Sequence, residues 1–395
     1  MTESARKKIG IEVSLAISEA VKQCDVDVIS AYPITPQTHI VEHLAELVAQ
    51  GELDAEFVPV ESEHSAMSVC VGAAAAGART FTSTASQGLA LMAEIVFCAS
   101  SMRLPIVMVM ANRSLNSPLS IWNDHSDAMM IRDSGWVQIF VENGQEAYDH
   151  VFWSFRVAED EKVLHPVLLN LDGFIVTHVV EPIEYWDDEM VKKFLPAYKP
   201  RLRLHPDHPL TMGAFGPPEI FTECKKAQEE ALLATMPIIE KVWEELEQVC
   251  GRKYSAVETY RVEDAKILLL TMGSFGETAR VAIDEMRETG EEVGLVSLRL
   301  WRPFPFAQFK QAVGQAEILV VVDRALSYGG PGGPVAGEVR SALYSEKKRP
   351  KITNFIAGLA GRDVQPDDFH QMVEQSKTKV KEGKEDEYEI YGARS

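Results

Sequence analysis

RTFTSTASQGLALMAEIVFCASSMRLPIVMVM, running from Arg79 to Met110, holds three elements in order. Arg79 to Ser83 reads as a strand, Gly88 to Met102 as a helix, and Pro105 to Met110 as a second strand. The run Pro105-Ile106-Val107-Met108-Val109-Met110 contains no polar residue. A strand of that kind must be covered on both faces, which is the situation inside a parallel sheet with helices on each side. The pattern extends outward in both directions. Upstream, strands are predicted at Val26–Ser30 and Glu56–Val60. Helices are predicted at Gln37–Gln50 and Ser62–Gly77, the second ended by Gly77 as a C-cap. Downstream, strands at Val137–Val141 and Val167–Leu171 flank a helix over Gln145–Ala158. Strands alternating with helices imply an α/β fold with a doubly wound parallel sheet.

Residues 181 to 262 break the alternation. Pro, Asp and Glu are frequent from Glu181 to Pro218, an excursion without regular apolar spacing. Glu219 to Val249 reads as one long charged amphipathic helix, and Arg252 to Val262 as a linker. A second, smaller α/β unit begins at Ala265. Its strands are predicted at Lys266–Thr271, Val293–Leu298, Ile318–Val322 and Lys351–Ile356, with a helix over Gly276–Thr289. Lys377 to Ser395 is charged and is expected to fray or to wrap on a partner. The expected division is therefore 1–255, with the excursion at about 181–255, and 260–395. A chain of 395 residues exceeds what one hydrophobic core usually serves.

The formal net charge is -20. Phosphate binding needs clustered Lys and Arg, so nucleic acid is not an expected partner. No apolar run approaches the roughly 20 residues of a membrane span. Met1 to Lys8 lacks the apolar core of a signal peptide, and the expected compartment is the cytoplasm. Five cysteines, Cys24, Cys70, Cys98, Cys224 and Cys250, are odd in number and widely spaced, and no C-x-x-C occurs. This pattern suits neither a disulfide framework nor an iron–sulfur cluster. Clusters serving any redox chemistry are expected on another chain.

Ligands of open α/β sheets bind beyond the carboxyl ends of the strands, so the loops there carry the chemistry. The first is Tyr32-Pro33-Ile34-Thr35-Pro36. Its prolines restrict the backbone and hold Thr35, which serves either a ligand or a rigid turn near a helix N-cap. The second is Glu61-Ser62-Glu63-His64. Glu61 suits a solvated helix N-terminus. Glu63 opens an Ala/Ser/Gly-rich helix, and its carboxylate is either buried against a ligand or solvated like that of Glu61. The third is Thr82 to Gly88, whose small residues bring backbone N–H groups to a ligand at a helix start. It is not a Walker motif. Arg113 leaves the apolar strand and is either a surface ion-pair partner or a bidentate carboxylate clamp. Asp124, His125 and Asp127 look superficially like a metal cluster and are read as capping a helix near Asp127–Gly135. In the second unit, Thr271 to Gly276 is a glycine turn, while Asp323-Arg324 and Gly329 to Gly333 mark an interface loop. No G-x-G-x-x-G follows a strand, which disfavours a nicotinamide or flavin enzyme.

Taken in order, these segments resemble one family. They are Tyr32 to Pro36, Glu61 to Ala66, Gly72 to Ala78, Thr84 to Leu89, Ala111 to Arg113, Trp122 to Asp127, Arg132 to Trp136, Leu171 to Phe174 and Leu300 to Pro305. Over nearly the whole chain the sequence resembles the alpha subunit of multi-subunit pyruvate:ferredoxin oxidoreductases, within the 2-oxoacid:ferredoxin oxidoreductases. The resemblance implies a thiamine-diphosphate pyrimidine-binding domain followed by a transketolase-C-terminal-like domain. It implies that Glu63 is the catalytic carboxylate on the aminopyrimidine ring. Thr35 and Arg113 would hold the 2-oxoacid, and Tyr32, Pro33, Ser86 and Gln87 would line the cofactor beside Glu63. The implied reaction is coenzyme A-dependent oxidative decarboxylation, or its reverse, with electrons passed to ferredoxin. The family's diphosphate–Mg²⁺ motif is missing, Leu171-Asp172-Gly173 being the nearest approach. Thiamine diphosphate is thus expected to be shared with a beta subunit, with Mg²⁺ and [4Fe-4S] clusters on partner chains among beta, gamma and delta subunits. No metal site is expected on this chain. Thr35, where an oxalate-oxidising relative carries Arg, favours a monocarboxylate such as pyruvate. Asn116 departs from the small residues common in that loop and leaves branched-chain 2-oxoacids and phenylglyoxylate open. A non-catalytic scaffold subunit is the alternative of another class.

Overall fold

A computed structural model describes residues 8 to 394. Its strands in chain order are β1 (Lys8–Glu12), β2 (Val28–Ala31), β3 (Glu56–Pro59), β4 (Thr80–Thr84), β5 (Ile106–Asn112), β6 (Val137–Phe140), β7 (Val167–Asp172) and β8 (Val180–Glu184). They continue with β9 (Val257–Tyr260), β10 (Ile267–Thr271), β11 (Val293–Leu298), β12 (Leu300–Arg302), β13 (Ile318–Asp323), β14 (Lys351–Ile356) and β15 (Glu389–Ile390). The first sheet has the order β12-β6-β7-β5-β4-β2-β3 and is parallel except for β12 at its edge. The second has the order β15-β14-β13-β10-β11-β9, parallel except for β9. β1 and β8 form a separate antiparallel ribbon.

The apolar strand that decides the fold behaves as its composition requires. Val107 and Val109 pack into a core with Ile17, Leu44 and Phe152 from helices on one face. Ile106, Met108 and Met110 pack with Met67, Leu89 and Met92 from helices on the other. All seven residues of β5 are buried, and the one polar residue among them, Asn112 at its carboxyl end, donates to Asp127 and Asn170. Helices on both faces are the two-layer covering of a parallel sheet.

The two sheets meet across a buried polar network. The Asp172 carboxylate at the end of β7 accepts from His125 Nε2 (2.8 Å), Arg324 Nη1 (2.6 Å), Ser274 N (2.9 Å) and the Ser274 hydroxyl. Arg324 also donates to Asn123 Oδ1 at 2.8 Å and lies over the Phe275 ring. Burial alone would raise the Asp172 pKa, yet Arg324 and His125 hold it well below the carboxylate range. The residue nearest to the family's metal motif is therefore occupied in docking the second unit.

Several expectations need correction. The single helix over Glu219–Val249 is two, Pro218–Leu233 and Met236–Cys250. Pro237 lacks an N–H, and Thr235 Oγ1 takes the Leu232 carbonyl at 2.6 Å, which closes the first helix. The linker over Arg252–Val262 contains β9, paired antiparallel with β11. The tail from Lys377 to Arg394 packs on the second unit rather than fraying: the helix Pro366–Glu382 runs through its start, β15 joins the second sheet, and Tyr391 bonds Asp368 at 3.0 Å. The helix near Asp127–Gly135 is only Ser126–Met130. Among the described residues, no helix is long and apolar enough to cross a membrane.

Candidate active site

β2 is flanked by β3 on one side and β4 on the other, so the chain reverses its direction across the sheet between β2 and β4. Such a topological switch leaves a crevice beyond the carboxyl ends of the strands. The loops after β2, β3, β4 and β5 all leave that edge, because these strands are parallel. They carry Thr35, Glu63, Ser86 and Arg113.

Glu63 is the first residue of the helix Glu63–Ala76, whose N-cap Ser62 accepts from Ser65 N at 3.3 Å. The two acidic residues of this turn have separate environments. Glu61 is solvent-facing, and the Ser65 hydroxyl donates to it at 2.5 Å, which lowers its pKa. Glu63 is 6% exposed. No hydrogen bond or ion pair holds its carboxylate among the described residues. The space it occupies exists because residue 88 is glycine: a Cβ there would lie 2.7 Å from Glu63 Oε1 and 2.9 Å from Glu63 Cγ. Gly88 was expected to offer its N–H to a ligand. Instead that N–H bonds Ala85 O at 2.9 Å, and the residue's contribution is room. The Thr84 hydroxyl beside it is buried without a partner. A buried carboxylate next to a free hydroxyl needs donors from outside the chain.

Arg113 is buried, and burial lowers its pKa. Among the described residues its guanidinium donates only to neutral carbonyls, Nε to Ser120 O at 2.8 Å and Nη1 to Thr35 O at 2.9 Å. It is not a surface ion pair. Among the described residues the guanidinium has no anionic partner, and a planar fork so presented matches a carboxylate. The same contact sets Thr35 beside Arg113. Gln37, not Thr35, is the N-cap of the following helix. Its buried amide donates to Ser83 O (2.8 Å) and Ser83 Oγ (2.6 Å), tying the Thr35 loop to the end of β4. Gly173 secures the loop's other side, since a Cβ there would stand 2.5 Å from Pro36 Cγ. Tyr32, Pro33 and Thr35 are exposed on this edge, and Gln87 is half-buried.

Asp127 joins the loops. Besides satisfying an amide at the start of the helix Ser126–Met130, it ties that helix to two loops: it accepts from Arg113 N (2.8 Å) and Ser86 N (3.1 Å) on one oxygen and from Asn112 Nδ2 (3.0 Å) and Ala128 N (2.7 Å) on the other. Burial pushes its carboxyl up to about 7 against the opposing Arg113, Asn112 and Ser86 donors. Ser86 is held with φ 44, and its hydroxyl donates to Ser114 O at 2.5 Å and Gln87 Oε1 at 2.7 Å. A non-glycine residue with positive φ that is bonded from both ends is a backbone position kept for its geometry. Gln37, Gly173 and Asp127 were not singled out as site-builders from sequence, because each acts on a loop distant in the chain. Apolar side chains remain uncovered on the same loops: Leu119 is 71% exposed and Trp122 49%.

The residues present suit the aminopyrimidine side of thiamine diphosphate: a buried carboxylate lacking donors, set in an otherwise small-residue niche. They do not suit its diphosphate, because Asp172 is already committed.

Comparison with known proteins agrees with this architecture. Residues 19–244 match the family described as pyruvate flavodoxin/ferredoxin oxidoreductase, thiamine diP-bdg, and residues 265–369 match pyruvate:ferredoxin oxidoreductase core domain II. The chain is 49% identical over 361 residues to pyruvate synthase subunit PorA of Methanocaldococcus jannaschii, covering 91% of this chain and 92% of that one. It is 45% identical over 373 residues to the PorA subunit of Thermotoga maritima, covering 94% and 95%. Ketoisovalerate oxidoreductase subunit VorA of Pyrococcus horikoshii is 40% identical over 386 residues, covering 96% of each. In fold, the chain resembles the 2-oxoglutarate:ferredoxin oxidoreductase of Magnetococcus marinus, with TM-score 0.69, 19% identity, 95% of this chain covered and 66% of that chain spanned. A split-gene transketolase gives TM-score 0.54 at 12% identity, covering 93% of this chain and 99% of that one. The chain belongs to the pyruvate:ferredoxin oxidoreductase family, as its alpha-type subunit carrying the thiamine-diphosphate-binding domain.

Proposed function

We propose that this chain supplies the pyrimidine half of a thiamine-diphosphate centre that interconverts pyruvate with acetyl-coenzyme A and CO₂, passing electrons to ferredoxin through partner subunits. The observation that carries this reading is the pairing of a buried, unpartnered carboxylate, Glu63, with a buried guanidinium, Arg113, that faces only carbonyls, at one topological switch point. When bound, thiamine diphosphate supplies the nucleophilic carbon and the electron sink for decarboxylation. Glu63 holds the ring by a hydrogen bond at a pyrimidine nitrogen and moves a proton there, as a positioned general acid–base. Tyr32, Pro33 and Gln87 would line the ring, with the fully buried Ser86 positioning the loop beneath it. Arg113 pairs with the 2-oxoacid carboxylate and Thr35 adds a hydrogen bond, which orients the keto carbon for attack.

Mg²⁺, the diphosphate contacts and the [4Fe-4S] clusters belong to beta, gamma and delta subunits in this reading. Coenzyme A and ferredoxin are engaged by the assembled complex in the cytoplasm. Residues 1–255 act as the pyrimidine domain with its excursion, and 260–395 as the transketolase-C-terminal-like domain. Pyruvate is preferred over a branched-chain 2-oxoacid because identity reaches 49% with a pyruvate synthase subunit and 40% with the ketoisovalerate subunit.

The test is Glu63→Gln in the reconstituted complex, assayed by 2-oxoacid-dependent reduction of a viologen dye with coenzyme A. Turnover should fall by at least about 10²-fold, the usual cost of losing a positioned acid–base group, with the fold intact. Near-normal turnover would refute the assignment.

A further inference from the structure

Away from the thiamine site, three side chains from three separate segments converge. Glu12 ends β1, His39 lies in the first turn of the helix Thr38–Ala49, and His178 sits just before β8. One donor atom of each lies within 4.8 Å of the other two. His39 Nδ1 is 2.6 Å from Glu12 Oε1, and the two imidazole rings are 4.6 Å apart between centroids.

The backbones beneath them are fixed. In the β1–β8 ribbon, Glu12 pairs with Val180. Beyond it, Val13 N bonds Val179 O at 3.1 Å, Ser14 N bonds Thr177 O at 3.0 Å, and Ser14 Oγ donates to the same carbonyl at 2.8 Å. The His39 helix is tied down by Ser18 Oγ to Ile40 O at 3.0 Å. Thr177 Oγ1 stands 2.6 Å from His178 Nδ1 and orients that ring; in the tautomer with Nδ1–H donating to Thr177, Nε2 is free to bind a metal. An outer oxygen fixing the tautomer of an imidazole is the usual support of a metal-bound histidine.

We propose that Glu12, His39 and His178 form a three-ligand site for a divalent transition-metal ion of the zinc class, with a fourth position left to solvent. Two imidazoles and one carboxylate are a nitrogen–oxygen set that such ions prefer over Mg²⁺ or Ca²⁺. With metal–ligand bonds of about 2.1 Å, tetrahedral donors stand about 3.4 Å apart, so no gap need close by more than roughly 1.4 Å. The His39 side chain is 44% exposed and the Glu12 side chain 22%, which allows that rotation. The short His39–Glu12 contact marks where an ion replaces a proton between imidazole and carboxylate.

The site also bears on the loops described above. The His178 ring packs at a tilt against Phe174 with centroids 4.7 Å apart, Phe174 packs likewise against Trp122 at 4.8 Å, and Gly173 packs against Pro36. A bound ion would clamp the segment 173–178 to the helix that follows the Thr35 loop.

The experiment is a titration of the metal-free full-length chain with Co²⁺, followed by Zn²⁺. The expected result is one equivalent of Co²⁺ with the visible absorption of low-coordinate cobalt, displaced by the tighter-binding Zn²⁺. His39→Gln, His178→Gln and Glu12→Gln should each weaken binding at least tenfold. The double variant His205→Gln/His208→Gln, which removes a histidine pair outside this cluster (ring centroids 6.0 Å apart), should bind as the parent does. Folding of each variant is checked by circular dichroism, and any one of the three that folds suffices. Parent binding no tighter than theirs, or binding lost in the His205/His208 variant, overturns the site.

Discussion

Gly88→Ala isolates the geometry of Glu63 without touching Glu63 itself. The position is helical, within Ser86–Ser101, so Ala is compatible with the backbone and brings a helix-propensity gain of about 1 kcal/mol. The added Cβ, however, would stand 2.7 Å from Glu63 Oε1, where ordinary contact begins at 3.4 Å. It would also press on the Thr84 hydroxyl. The carboxylate must therefore retreat by about 0.7 Å, the difference between those two distances. A misplacement of roughly 1 Å at a reacting group costs on the order of 10²-fold, so kcat should fall about 10- to 100-fold. The propensity gain and the local crowding offset one another, and Tm should move by only a few degrees. The assay is viologen reduction by the reconstituted complex over a range of 2-oxoacid concentrations, alongside a thermal melt. A folded Gly88→Ala complex with parental kcat would refute the claim that the glycine exists to seat the catalytic carboxylate.

Arg113→Ala should leave thiamine diphosphate binding in place and lower kcat/KM for 2-oxoacids about 10- to 100-fold, since a charge-assisted bond contributes about 1.5–3 kcal/mol; unchanged kinetics for every 2-oxoacid tried would contradict its role. Asp172→Asn should destabilise the chain by about 3–5 kcal/mol in denaturant unfolding, because the buried Arg324 loses its counter-charge. The folded Asp172 carboxyl is depressed, so its contribution is complete above the ordinary carboxyl value of about 3.9 and is lost as pH falls below it. The variant should lack that acid-limb loss, and a parental stability profile in the variant would show that the network does not hold the units together.

Local pattern carried much of the architecture. The unbroken apolar run before Arg113 demanded two covered faces, and β5 alternates its side chains between two helix layers. Strand and helix positions in the first sheet follow from such runs to within a few residues. What escaped depended on distant partners. β12 is three residues long and exists because β6 offers an edge, and β15 is two residues added beside β14. The loop positions of Glu63 and Arg113 were legible from strand-end logic. The supports were not: Asp127 looks like a capping residue until Arg113 N and Ser86 N are seen to meet on one of its oxygens. Gly88 illustrates the same limit, for a missing Cβ declares its purpose only when the side chain filling that space is known.

The most direct test of the half-site reading is calorimetric titration of the purified chain with thiamine diphosphate and Mg²⁺, first alone and then after adding the partner that we propose carries the diphosphate contacts. Most of the cofactor's charge lies on its diphosphate, which a Mg²⁺ bridge normally neutralises. The chain alone should therefore bind weakly at best, contain no iron and turn over no 2-oxoacid. Cofactor affinity and turnover should appear together when the partners are supplied. Tight binding, stoichiometric iron or decarboxylation by the isolated chain would contradict the account.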